Sequence, residues 1–142
     1  MVPTWHAATV QRLAGSDAGF LFIENAEQTS VCVDLAILES SDGDGPLTLP
    51  QLRRQVVERL PALPAWQWRL ESVPLGLNHP VWVEDPEFDV DYHLRQATVP
   101  SPGGDEELEA FVGDIQPQRL DLRHPLWQIV LIHGLAGGRQ AL

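Results

Sequence analysis

The chain has no lysine: all nine of its basic residues are arginines. Schiff-base chemistry and catalysis by a lysine amine are therefore excluded. Cysteine is nearly absent. Cys32 stands alone, which rules out an intramolecular disulfide and a multi-cysteine metal site. Its place in the apolar run Val31, Cys32, Val33 predicts a buried, inert thiol. Long apolar runs are missing too. No stretch approaches the ~20 residues of a membrane-crossing helix, and the N-terminus lacks the basic start and apolar core of a signal peptide. The expected compartment is the cytoplasm. Positive charge is scarce: nine arginines against twenty acidic residues leave a net charge of −11. Such a surface repels nucleic-acid phosphates and anionic lipid headgroups, so neither is expected as a direct partner. It also repels the phosphates of coenzyme A. A groove for acyl-CoA would have to come largely from residues outside this chain.

What is present suffices for one domain. A chain of 142 residues, 44% of them hydrophobic, is neither disordered nor long enough for two full cores. No repeat and no internal linker divides it. After an irregular start of fifteen residues, Ser16 precedes Asp17 and the apolar Ala18, Phe20, Leu21, Phe22 and Ile23, which predicts a short helix capped by Ser16. Residues 31–38 are apolar on both faces and predict a buried strand. The acidic, Gly-rich residues 40–46 form a loop. Thr48 and Gln51 make a capping box with Pro50 in the first turn, and Leu49, Leu52, Val56 and Leu60 mark one face of a helix ending at Pro61. Residues 61–80 look extended and packed, and Val81, Trp82 and Val83 a short strand.

Phe88, Val90, Tyr92 and Leu94 alternate with Asp89, Asp91, His93 and Arg95, which predicts a half-exposed strand. Residues 100–104 break it. Asp105, Glu106 and Glu107 then open a helix whose core face is Leu108, Phe111, Val112 and Ile115. Residues 126–133 form an apolar strand, residues 134–138 a hairpin-type turn, and residues 139–142 the start of a returning strand. With that strand cut short, residues 126–133 are expected at an exposed sheet edge that invites aggregation.

Candidate chemistry is thin. Gly15, Ser16 and Gly19 resemble a nucleophile elbow, but the glycines stand at the wrong offsets. Gly43 and Gly45 lack the third glycine of a dinucleotide loop, and Pro46 sits where a calcium loop needs a ligand. Asp89, Asp91 and His93 on one strand face could hold a cation, yet no fourth ligand is near and a solvated face gives the same row. His6, His79, His93, His124 and His133 show neither metal-ligand spacing nor an orienting partner, and read as surface or packing residues. No catalytic residue, cofactor-binding residue or metal ligand is nominated.

The order of several short motifs adds a resemblance. Leu13, Ala14, Gly15, Ser16, Asp17, Ala18, Gly19, Phe20 and Leu21 are similar to a Leu-Ser-Gly-x-Asp-x-x-Phe-Leu opening. Leu63, Pro64, Ala65 and Trp66 follow, then Arg69 and Leu70, and Val73, Pro74, Leu75, Gly76 and Leu77. His79, Pro80, Val81, Trp82, Val83, Glu84, Asp85 and Pro86 come next, with Phe88, Asp89, Val90, Asp91, Tyr92 and His93 behind them. Pro102, Gly103 and Gly104, then Leu120 and Asp121, then Pro125, Leu126 and Trp127 complete the set. Across residues 11–142 the chain resembles the start of the bacterial wax ester synthase/diacylglycerol acyltransferase family.

The resemblance implies an α/β (mixed α+β) fold. Residues 1–142 would be a partial chloramphenicol-acetyltransferase-like domain, a mixed sheet with flanking helices, incomplete at the C-terminus. It implies acyl transfer from acyl-CoA to diacylglycerol or a long-chain alcohol, with acyl-CoA as substrate and no cofactor. The family's base is the second histidine of a His-His-x-x-x-Asp-Gly motif, placed a few residues after the strand that starts at Arg139. That puts the base beyond Leu142 and predicts an inactive fragment, with a complementing C-terminal chain and a membrane or lipid-droplet surface as further expected partners. Pro125, Leu126 and Trp127 are expected to be structural, since none offers proton chemistry. Gln128 replaces a usual glutamate and Ala14 a usual serine, which puts local packing in question. The alternatives are a non-catalytic module that binds a partner or lipid, and a fragment of a peptide-forming condensation domain. The Pro80 to Asp85 stretch favours the lipid acyltransferase over the latter.

Overall fold

The computed structural model describes residues 10–24, 29–39 and 45–142. His6 and the loop residues 40–44 lie outside the described residues. Two sheets carry the fold. The smaller is antiparallel, with β1 (Gln11–Arg12) and β3 (Trp68–Glu71) on either side of β4 (Val81–Glu84). The larger is mixed. Its order is β2 (Ile37–Leu38), β7 (Gln140–Ala141), β6 (Ile129–His133), β5 (Leu94–Thr98), with β5 and β6 parallel and the other pairs antiparallel.

Strand alternation on β6 sends successive side chains to opposite faces, and each face takes one helix. Leu131 packs with Leu52 and Val56 of α2 (Leu49–Arg59). Ile132 packs with Leu108 of α4 (Asp105–Ile115). The capping box of α2 forms as its sequence implies: Gln51 N–H donates to Thr48 Oγ1 and Thr48 N–H to Gln51 Oε1. The acidic start of α4 lies at the positive end of its dipole, and Gly104 N–H donates to Glu107 Oε2 at 2.7 Å.

Several expectations are overturned. Helix α1 (Gly15–Ile23) starts two residues early, so Ser16 lies inside it and Ala14, without a capping side chain, occupies the cap position. Since Ala14 already has the extended backbone of a cap, Ala14→Ser should raise the unfolding free energy by about 1 kcal/mol, read from a denaturant midpoint. Of residues 31–38, only Ile37 and Leu38 are strand, and most of the run is exposed because no element covers its outer side. Cys32 is exposed with it. Residues 88–95 do not form one strand. Asp89 accepts from Asp91 N–H and caps a single helical turn, α3 (Val90–His93), before β5 begins at Leu94. Residues 61–80 contain three short 3-10 turns around β3 rather than one extended run. Finally, β6 is interior, flanked by β5 and β7. The edge expected there falls on β2 and β5 instead.

Candidate lipid cleft beside Pro125, Leu126 and Trp127

The helical turn α3 undoes the proposed Asp89, Asp91 and His93 row. A turn of helix points these side chains apart, and His93 goes inward while both aspartates stay exposed. Asp91 pairs with Arg53 at 2.7 Å. No group of three metal-ligating side chains occurs among the described residues.

His93 is fully buried. Its Nδ1 lies 2.8 Å from the carbonyl oxygen of Trp127, and its ring stacks on the Trp127 indole at 4.2 Å and on Phe88 at 5.4 Å. The contact fixes the tautomer: Nδ1 carries the proton it donates, leaving Nε2 as a buried lone pair without a partner. Burial lowers the imidazole below its usual 6.5, against a smaller opposing effect of the Trp127 carbonyl. Asp85 pulls upward, while His124 and Arg95 push further down.

A depressed histidine means that the unfolded chain takes up the proton first as pH falls. The stability tied to neutral His93 is therefore complete above pH 6.5 and is lost as pH drops from there toward the folded value. Denaturant midpoints at pH 7.5 and 5.5 should show this loss. A His93→Phe variant should flatten the dependence above about pH 5.5, where carboxylates remain almost fully ionised.

Trp127 joins separate parts of the chain. Its Nε1–H donates to the Trp66 carbonyl at 2.7 Å, and the two indoles meet at 4.7 Å. Its neighbour Leu126 packs instead with Leu13, with Ala18 of α1 and with Leu70 of the smaller sheet. Pro125, Leu126 and Trp127 thus span the junction between two cores, with Pro125 buried.

Beside this junction lies a cleft of about 630 Å³. One wall is residues 31–36, another is Val112 and Ile115 at the end of α4, and the third is residues 118–121 with 125–128. Val130, Ile132 and Leu142 form the floor, and Trp66, Tyr92 and Trp127 close one end. Reciprocal backbone hydrogen bonds of 2.9 Å between Ala36 and Leu142 hold the first wall to the sheet. At the rim Arg123 clamps Asp121 with contacts of 2.6–3.1 Å, and its guanidinium holds that carboxyl well below the usual range. His124 stacks on Tyr92 at 3.9 Å. No histidine is among the residues lining the cleft. Its volume is that of a small-molecule pocket, and its walls are mostly aliphatic.

Residues 13–142 match the model of the wax ester synthase/diacylglycerol acyltransferase catalytic domain. The chain belongs to that family. A Mycobacterium tuberculosis protein named as a candidate diacylglycerol O-acyltransferase is 42% identical over 134 residues, which cover 94% of this chain and 28% of that protein. A second from the same organism is 38% identical over 133 residues, covering 94% of this chain and 48% of its own length. Among solved structures, the wax ester synthase/diacylglycerol acyltransferase from Marinobacter aquaeolei VT8 superposes with a TM-score of 0.61 at 30% identity. That match covers 75% of this chain and 25% of the other. The family and the mixed α/β, chloramphenicol-acetyltransferase-like fold implied by the sequence resemblance are therefore correct. The chain spans between about a quarter and a half of the length of these relatives.

Pro125, Leu126 and Trp127 stand out in the sequence, but the partners that give them a place do not. Trp66 and His93 lie 61 and 34 positions from Trp127, and no local pattern links them. The apolar run 31–36 was visible as a run. Its role as a cleft wall was not.

Proposed function

We propose that residues 1–142 are the N-terminal scaffold of an O-acyltransferase that moves a fatty acyl group from acyl-CoA to diacylglycerol or a long-chain alcohol. The cleft carries this reading: it is a mostly apolar slot, walled by Leu126 and Trp127, with room for an alkyl chain and no histidine on its lining. Attack of an alcohol oxygen on a thioester carbonyl needs a base for the hydroxyl proton and donors for the oxyanion. In this proposal both come from polypeptide outside residues 1–142, and Pro125, Leu126 and Trp127 serve as structure. Acyl-CoA enters as substrate, with no bound cofactor.

The test is direct. The purified chain, mixed with palmitoyl-CoA and diacylglycerol, should release no free thiol above a protein-free blank. Release that scales with protein concentration would overturn the assignment of this chain as scaffold. A lipid-holding module without chemistry is the second reading, favoured by a cleft that is formed within this chain alone. It predicts that an acyl probe stays bound and unaltered whatever polypeptide is added. The scaffold reading predicts transfer once a chain bearing the family's histidine motif is supplied.

The acceptors are water-insoluble lipids. No helix among the described residues is long and apolar enough to cross a membrane. With acyl-CoA as substrate and these lipids as acceptors, the proposal has the chain in the cytoplasm, working at the boundary of a membrane or lipid droplet.

A further inference from the structure

The cleft beside Trp127 is lined from both faces of the larger sheet at once. Val130 and Ile132 belong to the face that packs against α4, whereas Ile129 and Leu142 belong to the face that packs against α2. A cavity with such a lining is a gap in the plane of the sheet, between β6 and residues 31–36. β7 shows what fits there. At Ala141 it lies between Ile37 of β2 and Ile132 of β6, antiparallel to both. No turn or bend interrupts residues 31–36, so the wall carries on from β2 alongside the gap.

Backbone hydrogen bonding decides what kind of occupant belongs in it. The His133 carbonyl accepts from Val99 N–H on the β5 side of β6, and Ala36 and Leu142 exchange bonds of 2.9 Å across β2 and β7. Peptide groups along a strand point alternately to its two sides. Val130 on β6 and Asp34 on the wall therefore present their amides and carbonyls to the gap, where neither has a backbone partner among the described residues. An alkyl chain offers these groups nothing, whereas an extended strand satisfies both edges. Its side chains would meet Val112 and Val130 on one face and Trp66 and Trp127 on the other, so it should be apolar on both. Asp34 and Asp121 on the lining, in a chain of net charge −11, disfavour an acidic segment.

We propose that this gap docks one added strand, an apolar segment of further polypeptide from the same enzyme, lying in line with β7 between β6 and residues 31–36. Relatives of which this chain covers 28% and 48% have polypeptide to supply it. The docking site deepens the proposed function by naming where the polypeptide outside residues 1–142 engages the scaffold, and it rests on that reading only for the source of the strand. The strand fills the plane of the sheet. The part of the cleft between α4 and residues 118–121 stays open to an alkyl chain.

The probe is an acetylated peptide copying about eight residues, an ordinary strand length, that follow the position of Leu142 in the Mycobacterium tuberculosis relative of 42% identity. Added to the full chain, it should bind and protect the Val130 and Asp34 amides from hydrogen exchange. N-methylation of the peptide residue opposite Asp34 should weaken binding about tenfold, the worth of a lost backbone hydrogen bond. Asp34→Pro should do the same, since it removes an amide that has no partner in the free chain. Its melting temperature without peptide should match wild type, which separates docking from folding. Asp34→Ala keeps the amide and should bind as wild type does. No binding, binding that leaves the Val130 and Asp34 amides unprotected, or equal affinity for the methylated peptide would each overturn the docking site. Thiol release from palmitoyl-CoA, measured separately, reports on the acyltransferase reading, because amide protection needs no acyl chemistry.

Discussion

Gly103→Ala is expected to cost about 3 kcal/mol or more, and so to remove much of the stability of a domain this size. Gly103 has a positive φ of 74°, and a Cβ there would land on the Gly134 carbonyl oxygen, with the Ala136 nitrogen 3.1 Å away. Both neighbours are backbone, so neither can swing aside. The Gly103 carbonyl also accepts from Ala136 N–H at 2.7 Å, which holds the loop before α4 against the turn between β6 and β7. Backbone strain alone accounts for roughly 1–2 kcal/mol, and the collision supplies the rest. Gly137 provides the control. It has a similar φ of 73°, but a methyl group there would meet nothing within 4 Å, so Gly137→Ala should show the strain without the collision. Equal losses in the two variants, measured by denaturant titration, would show that the close approach at Gly103 contributes nothing.

Trp127→Ala has the other large expected effect, roughly 3 kcal/mol of stability, near the low end for an aromatic core deletion because the ring is only half-buried. The loss has three sources. Stacking on His93 and Trp66 disappears, the Trp66 carbonyl loses its donor, and a cavity opens beside α2 and β6. Trp127→Phe separates them. It keeps an aromatic ring against His93 and Trp66 but cannot donate to the Trp66 carbonyl, so about 1 kcal/mol should go with the hydrogen bond alone. The near-ultraviolet circular dichroism of the Trp66 and Trp127 pair should collapse in the alanine variant and change less in the phenylalanine one. An alanine variant as stable as wild type would remove Trp127 from its place as the link between α2, α3 and the sheet.

Legibility followed the range of the interaction. Helices α2 and α4 could be read in advance because the capping box of α2, the acidic first turn of α4 and both apolar faces lie within a few residues, where spacing directly encodes geometry. The stretch from Phe88 to Arg95 could not. Its alternation fits a strand, but Asp89 caps the backbone locally and the burial of Val90, His93 and Leu94 favours a turn of helix. Residues 31–36 failed for the opposite reason: apolar composition suggested burial, but burial depends on whether another element covers them.

By itself the sequence excluded lysine chemistry, an intramolecular disulfide and a multi-cysteine metal site, set the acidic charge, and carried the motif order that marks the family. It also specified the capping box of α2, the apolar face of α4 and the apolar run 126–133, of which Ile129–His133 is strand. Tertiary structure alone decided that His93 is buried and neutral, that Trp127 meets Trp66, and that buried Gln140 holds Leu47 through both its amide atoms, 93 positions away. Composition and short-range periodicity act through bonds between near neighbours. Contacts between distant segments depend on which surfaces the folded sheets bring together, and no local pattern records that.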